Sequence, residues 1–148
     1  MIKKISTSCS SDAYSDGDVI NGILKIDYVC RSGRMPILHS VMVQDGSTAC
    51  PNIDLVLLDA NLSSATTTLT DNAICQIADS DLTHILGVVQ ITTFVKFDDN
   101  SVGFAGSLGI PVAAEDPAAD PHLYVIPVAR GTSPVDWTSL SFTLNFVE

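Results

Sequence analysis

Glutamate is nearly missing from this chain: Glu115 and Glu148 stand against fifteen aspartates. Glutamate favours helix interiors, whereas aspartate competes for backbone N–H groups and settles in turns and caps. The bias argues against extensive helix and for many turns. Basic residues are scarce beyond the start. Lys3, Lys4, Lys25, Arg31 and Arg34 precede position 35, and only Lys96 and Arg130 follow, against thirteen acids. Phosphate neutralisation needs clustered Lys and Arg, so the composition argues against nucleic acid as a partner. No apolar run approaches the ~20 residues of a membrane span, which leaves no membrane partner to expect. Met1–Ser10 lacks the apolar stretch of about 7–15 residues that a signal peptide requires.

Charge as a whole is also low. Charged residues make up 16% of the chain, below the roughly 25% usual for soluble domains. Much of the polar surface must then be Ser, Thr, Asn and backbone, or partners must cover part of it. The four cysteines, Cys9, Cys30, Cys50 and Cys75, form no Cys-x-x-Cys pair. In a reducing cytoplasm they are expected as free, partly buried thiols, with two disulfides as the alternative.

What is present reads as strands and turns. Leu140, Phe142, Leu144 and Phe146 alternate with Ser141, Thr143 and Asn145, which predicts a half-buried strand over Thr138–Val147. Ile23–Val29 and Ile37–Gln44 are similar, and Asp54–Asp59 brackets Leu55-Val56-Leu57-Leu58, a run suited to a deeply buried strand. Further strands are expected near Ile2–Ser8, Val88–Thr93, Ser101–Leu108 and Leu123–Ala129; Pro127 marks the last as an edge strand or a bulge. Asp16-Gly17, Asn21-Gly22, Ser32-Gly33, Asp45-Gly46 and Asp98-Asp99-Asn100 supply turns between them.

This spacing predicts an all-β fold: one β-sandwich domain over residues 1–148, jelly-roll-like, with about eight strands. Helix is confined to Thr70–Gly87, with one short helix near residues 79–87, inside Thr70–Val89, the one stretch where apolar spacing turns helical. There Asp79 or Ser80 would cap a short helix carrying Leu82, Ile85 and Leu86, and Gly87 would end it. The helix should cover an open end or edge of the sandwich. Residues 1–10 read as an N-terminal arm or an edge strand, and as an arm they could be deleted with the domain still folded.

Chemistry is hard to find. His39, His84 and His122 have no metal-ligand spacing. His39 shares a strand parity with Ile37, Val41 and Val43 and is expected in the core or an interface, while His84 is expected in solvent. Gly103, Gly106 and Gly109 fit tight packing or bulges in a strand rather than a phosphate loop, and no residue stands out as a catalytic nucleophile. Asp12, Asp16 and Asp18, and Asp79 with Asp81, lack the closing Glu of a calcium loop and fit turns and caps better. The sequence therefore suggests a non-enzymatic protein with no catalytic, metal or cofactor-binding residues. Trp137 is expected at a rim or subunit contact.

Several elements recur in one order. They are Asp16-Gly17-Asp18-Val19-Ile20-Asn21-Gly22, Ile37–Asp45, Asp54-Leu55-Val56-Leu57-Leu58-Asp59, and Thr70-Asp71-Asn72-Ala73 followed by Asp79-Ser80-Asp81-Leu82. Then come Ile85-Leu86-Gly87-Val88-Val89, Asp99-Asn100-Ser101, Leu108-Gly109-Ile110-Pro111, Leu123-Tyr124-Val125 and Arg130-Gly131-Thr132. In this order the chain resembles the capsid cement, or decoration, proteins of tailed-bacteriophage virions. The resemblance implies a small β-sandwich on the outer head shell, assembled in the host cytoplasm, which bridges major capsid subunits and stabilises the capsid. Its implied partners are the major capsid protein and copies of itself, a homo-oligomer for which a trimer is one option. The expected contact residues are Ile2, Lys3, Lys4, Ile5, Lys25, Arg31, Arg34 and Trp137. The alternative is a host-surface or carbohydrate-binding module of a phage fibre or tail, although one Trp and three Tyr provide few sugar platforms.

Overall fold

A computed structural model describes residues 1–27, 29, 35–50, 52–62, 64–112, 122–131, 134–137 and 139–147. Strand β10 (Leu140–Val147) buries Leu140, Phe142, Leu144 and Phe146, as its alternation requires. It pairs antiparallel with β1 (Ile2–Thr7) on one side and β3 (Ile37–Asp45) on the other. β3 continues to β7 (Ser101–Ala105), which pairs with β6 (Phe94–Lys96), and β8 (Ile110–Pro111) joins the far end of β3. These strands form a six-stranded sheet in the order β1-β10-β3-β7-β6.

The second sheet is four-stranded: β2 (Leu24–Ile26), β9 (Leu123–Arg130), β4 (Asn52–Leu58) and β5 (Ile85–Ile91), in that order. Its Ile53, Leu55, Leu57, Val89, Ile91, Leu123 and Val125 meet Val41, Val43 and the β10 apolar row in one core. The fold is an all-β sandwich of two antiparallel sheets with almost no helix. Gly103 shows how closely the layers approach: a Cβ there would lie 2.6 Å from the Phe94 ring and 2.8 Å from Ile91. The tight-packing reading of that glycine holds.

Several expectations need correction. Helical structure over Thr70–Val89 shrinks to a 3-10 turn at Asp79–His84, and Gly87 lies inside β5 rather than at a helix end. β-branched Ile85, Val88 and Val89 pair with Leu58, Val56 and Leu55 of β4, and this sheet pairing outweighs a marginal helical spacing. Neither Asp79 nor Ser80 caps the turn; its cap position is Ala78, whose N–H donates to Thr67 Oγ1 at 2.9 Å. Pro127 sits in an interior strand, not at an edge. Its carbonyl accepts from Ile20 N at 2.8 Å, so its N also faces the irregular 17–20 segment. In an antiparallel strand both groups of a residue point the same way, so no bond to β4 is lost.

His39 is likewise not in the core. Leu38 pairs with Phe146 and Ser40 with Asn145, which leaves His39 as the extra residue of a bulge. The bulge reverses the side-chain phase: Leu38, Val41 and Val43 are buried while Ile37 and His39 are exposed. β6 and β8 are strands that the sequence reading missed.

Candidate interaction surfaces

The two sheets differ on their outward faces. On the four-stranded sheet, Val56, Leu58, Ile126 and Val128 point away from the core yet are buried, together with Val19. Leu62, Leu69, Cys75 and Ile77 pack against them, so the described residues of 62–78 form a strap across this face. The strap is tied down through its backbone: Val19 N donates to Ala73 O at 2.9 Å, Asn72 N to Val19 O at 2.8 Å and Cys75 N to Gly17 O at 2.8 Å. Thr67 fastens its end, since its hydroxyl accepts from Ala78 N and donates to Asp81 Oδ2 at 2.5 Å. Asp71 Oδ1 accepts from Tyr14 OH at 2.9 Å and from Asn21 N at 2.6 Å. The aspartates here hold turns and loops together, and no group of three His, Cys, Asp or Glu suited to a metal exists among the described residues.

A groove remains beside the strap, lined by Asp16, Val56, Ile74, Cys75, Val128 and Arg130. Arg130 Nε donates to Asp54 Oδ2 at 2.8 Å, which pairs the largely buried carboxylate. Burial raises the Cys75 thiol pKa, against the pull of Arg130, so the thiol stays protonated and is a poor nucleophile.

The outward face of the six-stranded sheet has no such cover among the described residues. Its registered rows run Ser6–Ser141–Gln44–Val102–Val95, Lys4–Thr143–Met42–Phe104 and Ile2–Asn145–Ser40. Phe104 is 58% exposed, Val95 59% and Ile2 64%. Lys4 is the single charged side chain in these rows.

The predicted contact residues divide. Ile2 and Lys4 lie on the outward side of β1, and Ile5 points inward against the core. β1 has β10 as its neighbour and is one edge of its sheet, so the edge-strand option is the one that forms. β1 is fully registered with β10, and Thr7 at its end is buried. Residues 2–7 are thus a strand of the sheet rather than a free arm. β2, with Lys25, is an edge of the other sheet, and Asp27 just past it lies close enough to β1 to feel Lys3, which brings the two edges to one flank. Lys25 Nζ is 3.0 Å from Asp27, which also feels Lys3 and His122; the Lys25 contact chiefly lowers the Asp27 pKa.

Arg31 and Arg34 lie outside the described residues. Trp137 is a core residue rather than a rim contact: it is 4% exposed and its ring packs 5.1 Å from Tyr14. Among the histidines, His84 Nδ1 is 2.9 Å from Asp59 Oδ1 and only half-exposed, so it is not simply solvated. Cys9, Cys50 and Cys75 are free thiols. The outward face of the six-stranded sheet does not stand out in the sequence because its residues are ordinary there. A low charge fraction was the one available signal.

No family model matches the chain, and no curated protein matches it. Among solved structures, a chain from "Structure of infectious bursal disease virus Gx strain" is 11% identical with a TM-score of 0.23. The match spans 99% of this chain and 40% of that one. A score this low carries no argument about function.

Proposed function

We propose that this protein is a non-enzymatic structural component of a virion, of the capsid cement or decoration class. On this reading it binds the outer head shell, bridges major capsid subunits and stabilises the shell. The observation that supports it best is the basic flank, where edge strands β1 and β2 carry Lys3, Lys4 and Lys25 in a chain of net charge −10. Such a flank suits an acidic partner surface, and a sheet edge offers backbone groups to a partner strand. The ordered sequence resemblance supports the same class.

Charge reversal of Lys3→Glu with Lys4→Glu tests this, because it spares the β1 backbone. Expanded head shells saturated with the wild-type chain should retain stoichiometric copies through sedimentation. The double variant should lose most of that occupancy while its far-UV circular dichroism shows the sandwich still folded. Undiminished occupancy would refute the basic flank as the docking site. Absence of the wild-type chain from shells, together with specific glycan binding, would favour the carbohydrate-binding module instead.

A further inference from the structure

We propose that the outward face of the six-stranded sheet packs against the same face of a second copy of this chain, forming a two-fold, face-to-face dimer. The proposal stands apart from the capsid reading, since it concerns the isolated chain.

Charge is the first argument. The protein carries 17 acidic residues, yet none lies in the three registered rows of this face. Two copies of net charge −10 repel each other through most orientations. A face without carboxylates is where they approach at least electrostatic cost.

Chemistry is the second. Single exposed apolar residues are normal on any surface. Here they are contiguous: Val95 pairs with Val102 and Phe104 with Met42. The Phe104 ring lies over Gly106, where a Cβ would fall 2.7 Å from it, so that glycine gives the ring a fixed seat. Apart from Lys4 the polar members are hydroxyls and amides, and one pair is bonded: Ser141 Oγ donates to Gln44 Oε1 at 3.1 Å. Neutral groups of this kind can be dried at modest cost, and the one charge, Lys4, stands on edge strand β1, where a long side chain can keep its ammonium in water at the rim.

Area is the third. Five strands in a row, about 4.8 Å apart and showing on average about 17 Å, give a footprint of roughly 400 Å². With side-chain relief, a face-to-face pair buries on the order of 1,200 Å² in total, the lower end of specific interfaces. Both sheets are twisted, so the pair packs near-aligned, as inside a sandwich. The isologous contact uses the same patch twice, and such a pair closes on itself.

Sedimentation equilibrium of the intact reduced chain tests this. The expected result is a reversible dimer whose dissociation constant falls as salt rises from about 0.05 to about 0.5 M, because screening removes the repulsion between copies. Phe104→Asp, and independently Thr143→Lys, should each weaken the dimer by about a hundredfold or more, with far-UV circular dichroism and the unfolding midpoint retained. The second variant keeps the test sound should the first misfold. Three outcomes overturn the proposal: a monomer up to about 1 mM, a dimer indifferent to the folded variants, or a dimer that weakens with salt.

Discussion

The two sheets of this sandwich are built from similar strands, but their outer faces have opposite fates. The four-stranded sheet has Val56, Leu58, Ile126 and Val128 on its outside and covers them with its own strap. The six-stranded sheet has Ser, Thr, Asn and Gln there, mixed with Phe104, Val95 and Met42, and has no strap among the described residues. An outward face rich in aliphatics must be covered by the chain itself. A mixed face without carboxylates is stable in water and still suited to a partner. The contrast separates a surface that serves folding from one available for assembly.

The largest expected break in this contrast comes from truncation beneath the strap. Leu58 is fully buried on the outer side of β4, so Leu58→Ala should cost about 2–4 kcal/mol in denaturant unfolding. Thr143→Ala on the bare face should stay within about 0.5 kcal/mol, as expected of a surface site. Equal losses would erase the distinction between the two faces. A smaller effect is expected at the fastening. Thr67→Val leaves Ala78 N–H and Asp81 without their shared hydroxyl, a loss of about 1–2 kcal/mol. Hydrogen exchange should then speed up in the strap and leave β10 unchanged.

The next effect depends on pH. Burial raises the Tyr14 pKa well above its ordinary value, and the neighbouring Asp71 carboxylate adds to the rise. The folded state therefore keeps the phenolic proton after the unfolded chain has lost it. This contribution to stability is complete below about pH 10 and declines as pH rises beyond it. Tyr14→Phe should flatten that alkaline decline, read from unfolding midpoints between about pH 9 and 11. The smallest effect belongs to the flank. Lys25→Ala removes an exposed pair with Asp27 and should leave thermal unfolding unchanged, while Asp54→Ala, which takes from Arg130 its largely buried partner, should lower it slightly.

Much of the sandwich was legible in the sequence because alternation is local. β10 follows directly from a period-two pattern, the deeply buried β4 from its short apolar run, and Asp98-Asp99-Asn100 marks the turn between β6 and β7. What failed needed knowledge of distant partners. The bulge at His39 reversed a strand's phase, and only the register against β10 reveals it. Apolar residues over Thr70–Val89 looked helical because one stretch serves in turn as strap, 3-10 turn and strand. Trp137 lies just before a strand in sequence, yet it packs on Tyr14 from the other end of the chain. As for the site, clustered charge drew attention to Lys3, Lys4 and Lys25, which the fold does place on neighbouring edges. The carboxylate-free face could not be seen from sequence, since its rows combine five separate strands.

Hydroxyl-radical footprinting across a concentration series compares the two outer faces in one sample. Met42 and Phe104 on the six-stranded sheet should lose reactivity as the chain becomes concentrated, while exposed Ile74 and Leu82 on the strapped side keep theirs. Constant reactivity of Met42 and Phe104, or protection at Ile74 and Leu82 instead, would contradict the assignment of the bare face to assembly.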